Sequence, residues 1–355
     1  MRPVFLSHAG LWCGAGSTPA GVRRALAAMD PPRGRLDLPG HPVPYVHATD
    51  PARPFRARLE EALAAVGAAL DLPLASGTPM LLGTSSLLIG GSEAGGTLPE
   101  PSELLAIVQE RWGLQGRGWI FSSACTSAVH ALDAAVGLIE GGQAEEALVL
   151  GVELLNRYTP AGFASLWLLS PTGARPLDAG RDGLVLGEAV AAVRLSARSG
   201  PWRVHPPALG FDATSPTGFT PDGSTIAAVM AEALALAGHG PESIRAVKLQ
   251  ASGAPGTDAA EARALRLVFP EAPPVFSLKG VLGHTLGASG IAELAATLMC
   301  LEEGWLPPTA GFGTEDPDLG LCPTRTVQPW APGPVLFNLQ GFGGCLASWI
   351  VEPAW

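Results

Sequence analysis

Four stretches of this 355-residue chain carry side chains able to do chemistry. The first, residues 121–142, reads FSSACTSAVHALDAAVGLIEGG, and its Cys125 falls where apolar Gly118-Trp119-Ile120-Phe121 gives way to Val129, Leu132, Val136 and Ile139 at helical spacing. Gly141-Gly142 supplies the stop. A thiol at that junction sits at a helix N-terminus, where unpaired N–H groups and the positive end of the dipole favour thiolate over thiol and so make a nucleophile. The same cysteine also fits a run of small core residues, the usual place of a free thiol.

The second stretch, residues 279–290, reads KGVLGHTLGASG. His284 stands there between a strand end and a helix of Gly, Ala and Ser, whose small side chains let backbones approach and leave an imidazole room to point at a neighbour. Alone it fits a structural histidine; beside a helix-start cysteine it is a candidate base or hydrogen-bond donor. Lys279 lies in an apolar setting and is costly to bury unpaired, with Glu188 and Glu293 as candidate partners. In the third stretch, residues 175–188 (RPLDAGRDGLVLGE), Asp178, Arg181 and Asp182 suggest an ion-pair knot that orders a loop, with tight turns at Gly183 and Gly187. The fourth is Gly341-Phe342-Gly343-Gly344. Its unshielded backbone N–H groups suit an oxyanion hole, and its composition suits a plain turn between strands equally well.

These stretches need elements to hold them. The patterning predicts strands at 3–7, 80–86, 118–121, 147–151, 246–250, 275–278, 335–338 and 346–351, and helices at 18–29, 54–70, 104–112, 224–237, 258–269 and 287–303. Residues 31–54, rich in Pro, Gly and His, read as a loop. Strands alternating with helices imply an α/β protein whose sheet is covered on both faces. The pattern pauses near 200–207 and starts again with similar content, which predicts a structural duplication with halves at 1–200 and 201–355, packed as one unit without a flexible linker.

Composition narrows the function classes. The chain is 47% hydrophobic and 15% charged, with a formal charge of −10. That balance excludes an electrostatic grip on nucleic acid or an anionic membrane surface. No apolar run reaches bilayer length and the N-terminus lacks a secretory core, so a cytoplasmic protein is expected. Five cysteines scattered without CxxC spacing argue against a disulfide framework and a zinc site, and no metal or cofactor is expected.

Taken together, the four stretches resemble the β-ketoacyl-acyl-carrier-protein synthases, the condensing enzymes of the thiolase fold, over nearly the whole chain. The resemblance implies a duplicated five-layer αβαβα architecture, a dimer, and acyl thioester and acyl carrier protein as substrate and partner. By resemblance Cys125 matches the acyl-accepting nucleophile and His284 the second of two catalytic histidines. Lys279 matches the active-site lysine, Glu188 the carboxylate beside that lysine, and Phe342, flanked by Gly341, Gly343 and Gly344, the aromatic gate near the cysteine.

One position departs from the family. Where its members read HGTGTPLND before AAEA, this chain reads SGAPGTD before Ala259-Ala260-Glu261-Ala262, which puts Ser252 at the first catalytic histidine in a loop two residues shorter. Leu339 and Gln340 also replace the pair that normally precedes the glycine-rich turn. A serine hydroxyl donates one hydrogen bond but supplies no imidazole, and loss of one such donor costs roughly 10²–10³ in rate. Two expectations follow. The chain is a chain-length-factor-like subunit of a heterodimer with a full-triad ketosynthase in fatty acid or polyketide biosynthesis, similar to partners in aryl-polyene pathways. Alternatively it is a condensing enzyme or acyltransferase in its own right, as a homodimer, forming an acyl-Cys125 thioester.

Overall fold

The computed structural model describes residues 2–31, 34–38, 41–93 and 99–355. Eleven strands form one sheet: β1 (Phe5–Cys13), β2 (Met80–Gly83), β3 (Gly118–Phe121), β4 (Glu146–Glu153), β5 (Ala189–Ser196), β6 (Trp202–Val204), β7 (Ala208–Phe211), β8 (Ala246–Lys248), β9 (Val275–Phe276), β10 (Val335–Gly341) and β11 (Cys345–Pro353). Their order is β9-β8-β10-β11-β6-β1-β5-β4-β2-β3, with β7 on β11. Each half mixes parallel pairs, β4-β2-β3 and β9-β8-β10, with antiparallel ones, β1-β5-β4 and β10-β11. The short strand β6 pairs with both β1 and β11 and joins the half-sheets.

Seven helices cover the sheet: α1 (Pro19–Ala28), α2 (Phe55–Gly67), α3 (Pro101–Trp112), α4 (Ser127–Glu140), α5 (Ser224–Ala237), α6 (Pro255–Val268) and α7 (Ser289–Leu301). Three hydrophobic clusters define their layers. Helices α2 and α3 pack with Leu82, Leu148 and Val190 on the outer face of the first half. Helices α5 and α6 pack with Val247, Leu336 and Ile350 on the outer face of the second half. Between the halves, α4 and α7 share one core with Leu81, Val149 and Val193 on one side and Phe276, Phe337 and Trp349 on the other. The layers are thus αβαβα.

Burial on both flanks explains the composition of α7. All thirteen of its residues are buried, and SGIAELAATLMCL carries a single charge, Glu293. Gly290 lies where a Cβ would come within 2.4 Å of Val129 in α4, so glycine sets the closeness of the two central helices.

Two expectations are corrected. The first strand runs on to Cys13 through the glycine-bearing segment, because Gly10 faces Val66 of α2, whose carbonyl oxygen would lie 2.6 Å from a Cβ there. The region expected as a loop contains strands Gly34–Leu38 and His41–Val46, paired with each other, and the second runs parallel to Leu186–Gly187. Leu36, Val43 and Tyr45 alternate with polar or proline residues there, a period-two signal masked by the prolines. No helix among the described residues is long and apolar enough to cross a membrane.

Candidate active site

Cys125 sits at the turn from β3 into α4, and small residues make that turn possible. Ala124 takes a φ of 50°, uncommon for a residue with a Cβ. Ser123 and Ser127 brace it: Ser127 Oγ donates to Ala124 O at 2.6 Å, and Ser123 N donates to Ser127 Oγ at 3.0 Å. Gly83, at the end of β2, lies so close that a Cβ would approach the Ala128 backbone to 2.3 Å. Strand, turn and helix therefore fix the cysteine from three sides.

His284 approaches from the opposite half. Its Nε2 lies 3.0 Å from Cys125 Sγ and its Nδ1 3.1 Å from Ser289 Oγ, with all three side chains buried. The backbone of His284 is pinned to the third stretch, His284 N donating to Val185 O at 2.7 Å and Gly187 N to His284 O at 3.0 Å. Burial holds the imidazole well below its ordinary pKa, with the charges of Lys279 and Lys248 adding to the effect. It is therefore neutral at physiological pH. The thiol is neutral as well: burial pushes Cys125 up to about 11, against the opposing influence of the Phe342 backbone N–H and Lys279. The helix N-terminus favours a thiolate, and burial works against it in the resting protein. One proton assignment consistent with two neutral groups has S–H donated to Nε2 and Nδ1–H donated to Ser289 Oγ.

Lys279 and Glu188 do not meet. Lys279 Nζ bonds one oxygen of Glu293, and Lys248 Nζ bonds the other. Although burial opposes it, the two lysines hold the Glu293 carboxyl below its ordinary value. Glu188 instead forms a buried pair with Arg58 and accepts from Ala48 N and Leu155 N, both at 2.9 Å. Its main chain adjoins the His284 segment, but its side chain turns toward the outer layer. Glu293, the other carboxylate open to Lys279, takes the pairing.

The glycine-rich turn closes over the cysteine. A Cβ on Gly341 would lie 3.3 Å from Cys125 N, and the neighbouring Phe342 backbone N–H favours the charged form of the thiol. The Phe342 ring stacks on Phe163 with centroids 5.2 Å apart. Gly343 and Gly344 adopt φ values of 82° and 88°, and a Cβ on Gly344 would strike Asp212 O at 2.0 Å. Leu339 faces the start of α7, and Gln340 is buried with neither polar side-chain atom hydrogen-bonded.

Ser252 occupies the loop between β8 and α6. Asp258 ties that loop down, accepting from Ser252 N at 2.9 Å, from Gly253 N at 3.1 Å and from Leu177 N at 2.9 Å. Ser277 Oγ donates to Ala251 O at 2.6 Å and accepts from Lys279 N at 3.2 Å, which couples the Ser252 loop to the lysine segment. No hydrogen bond joins the Ser252 side chain to Cys125 or His284.

The expected ion-pair knot in residues 175–188 is also corrected. Arg181 pairs with Asp316 at 2.5 Å, while the Asp178 carboxylate accepts backbone N–H groups of Gly180, Gly313 and Thr314 at 2.7–2.8 Å. Asp182 accepts from Ser170 Oγ at 2.6 Å. Backbone N–H groups satisfy Asp178, and the Ser170 and Thr172 hydroxyls satisfy Asp182, in place of the arginine.

Two buried groups of the site lay outside the sequence reading. Lys248 is a charge in the middle of an apolar strand, a signal present in AVKLQ. Glu153, at the end of β4, accepts from Ser85 Oγ at 2.7 Å and Ser86 Oγ at 2.5 Å, and burial raises its pKa despite these bonds.

Known proteins are similar to this chain in sequence and fold. Residues 89–199 match the model of the beta-ketoacyl synthase N-terminal domain, and residues 207–313 that of its C-terminal domain. A Streptomyces cyaneus protein named as a polyketide beta-ketoacyl synthase 1 is 34% identical over 69% of this chain and 62% of its own length. The chain spans less than two thirds of the length of such curated relatives. Among solved structures, a beta-ketoacyl synthase from Burkholderia phymatum is similar with a TM-score of 0.82 at 25% identity, covering all of both chains. The ketosynthase ApeO in complex with its chain length factor ApeC, from Xenorhabdus doucetiae, gives a TM-score of 0.82 at 24% identity over 99% of this chain and 98% of that one. With the αβαβα layers and both family models spanning the cysteine and histidine segments, the chain belongs to the β-ketoacyl synthase family and has its thiolase-like fold.

Proposed function

We propose that this chain is the chain-length-factor-type partner of a full-triad ketosynthase in polyketide or fatty acid biosynthesis, with an aryl-polyene pathway as the nearest analogue. Ser252 carries this reading. Decarboxylation of a malonyl thioester develops an enolate that two imidazole donors stabilise in the family, and here one donor is replaced by a hydroxyl on a shorter loop. Uncovered apolar surface supports a partner. Tyr158, Leu166 and Trp167 are 75%, 56% and 86% exposed, and they flank Phe163, which stacks on Phe342. Strand β3 is an edge of the sheet and carries half-exposed Trp119, an open template for pairing with a second subunit. The chain then shapes the acyl pocket of the heterodimer while the partner performs condensation on acyl carrier protein substrates.

A second reading has its own support in the 3.0 Å contact between Cys125 and His284. Here Sγ attacks the acyl carbonyl of a carrier thioester as its proton passes to Nε2, and the Phe342 N–H donates to the forming oxyanion. Collapse breaks the carrier C–S bond, and the departing thiolate takes the proton from Nε2, leaving acyl-Cys125.

Co-expression with a full-triad ketosynthase tests the first reading by size-exclusion chromatography, with a one-to-one heterodimer as the expected result. A stable homodimer that ignores the synthase would overturn it. Intact-mass measurement after incubation with acyl carrier protein tests the second, since an acyl adduct lost in Cys125→Ala identifies a live nucleophile.

A further inference from the structure

Far from the cysteine, three side chains from separate elements converge. His205 follows β6, His239 follows the C-terminal cap of α5, and Glu352 lies on β11. His205 Nε2 is 2.8 Å from Glu352 Oε1, and His239 Nε2 is 2.9 Å from Glu352 Oε2. One donor atom from each residue lies within 4.8 Å of the other two. The backbone holds each ligand in place. Glu352 is in register with Arg203 on β6, His205 N donates to Ile350 O at 3.0 Å, and His239 N donates to Leu234 O at 3.0 Å beside a Gly238 with φ of 72°.

We propose that His205, His239 and Glu352 form a binding site for a divalent transition-metal ion of the zinc class. Two imidazole nitrogens and a carboxylate are the ligand set that such an ion prefers. Metal bonds of 2.0–2.2 Å place neighbouring ligand atoms roughly 3.3 Å apart in a tetrahedral site, a spacing reached here by small side-chain rotations. The ion takes the place of the two protons that otherwise bridge imidazole and carboxylate, and each ring then carries its proton on Nδ1.

Access and a fourth position are also provided. His205 and Glu352 line a surface groove with Arg203, Glu140, Leu236 and Trp355, and the His239 and Glu352 side chains are about one-fifth exposed. Arg203 Nη1, 3.8 Å from Glu352 Oε1, is an outer partner that orients the carboxylate. A bound ion would tie the last strand to the crossover strand β6 and to the end of α5, a staple remote from the acyl site.

Zinc titration of the full chain tests this, in the wild-type and in Cys125→Ala, which removes the buried thiol as a competing ligand. The expected result is one zinc per chain in both, with affinity lowered at least about a hundredfold by His239→Gln, more than a lost outer partner alone accounts for. Glu352→Gln, which keeps the shape of the side chain, is expected to weaken binding likewise, and zinc is expected to raise Tm in wild-type but not in either variant. Absence of saturable binding in Cys125→Ala, or binding unchanged by both ligand substitutions, overturns the proposal.

Discussion

Lys248 and Lys279 bond opposite oxygens of the same buried carboxylate, Glu293. Each lysine is within one per cent of complete burial, so neither charge is compensated by water. The carboxylate is the hub, and the two cations depress the proton affinity of His284 from behind.

That arrangement orders the effects of substitution. Glu293→Gln strands two buried cations and is expected to destabilise by at least roughly 3–5 kcal/mol, the cost of leaving a buried charge unpaired. Lys248→Met leaves Lys279 and Glu293 paired one to one and is expected to cost distinctly less. Urea unfolding of both variants measures the order, and equal losses would contradict the shared-hub reading.

The state of Cys125 predicts its alkylation. With the thiol at about pKa 11, iodoacetamide labelling of Cys125 rises about tenfold per pH unit from neutral pH upward without levelling off. Exposed Cys322 serves as the internal reference. A plateau reached by roughly pH 8 would mean a thiolate already formed in the resting protein.

Ser252→His restores an imidazole in the family's first position. If the rest of the pocket is competent, decarboxylative condensation by the purified chain rises by roughly 10²–10³. Asp258 still holds the loop through backbone donors that the substitution leaves alone. No gain in a carbon dioxide release assay locates the block elsewhere, with the shortened loop as its source.

Buried Glu261 gives the stability of the fold a pH dependence. It accepts from Gln250 N and Ala251 N, both at 2.7 Å, and from Asn338 Nδ2 at 2.5 Å, yet burial raises its pKa from 4.5 to about 7. A carboxyl whose folded-state pKa lies above its unfolded value stabilises the fold when protonated, so this contribution is full below about pH 4.5 and is lost as pH rises toward 7. The cost of Glu261→Gln is therefore expected to be largest in acid and to shrink toward neutrality, as thermal unfolding across that range would measure.

Much of this was legible beforehand. Cys125, His284 and the glycine-rich turn carry their signals locally, in a strand-to-helix junction, a small-residue helix start and three glycines around a phenylalanine. The partner of Lys279 was not, since Glu188 and Glu293 are both plausible by position and only side-chain direction separates them. The ionisation of Cys125 is not legible locally, because the pattern shows the helix dipole and hides the depth of burial. His205, His239 and Glu352 share no local spacing, so only the folded chain brings them together.

The short strand Trp202–Val204 has a mechanical consequence. It hydrogen-bonds to the first strand on one side and to the last on the other, so the chain's two ends are locked through three residues into one continuous sheet. Neither half keeps its edge covered without the other, and α4 and α7 bury their shared core only when both are present. The duplicated halves are therefore expected to melt as a single cooperative unit, and a cut at the junction would yield two sticky fragments in place of two domains.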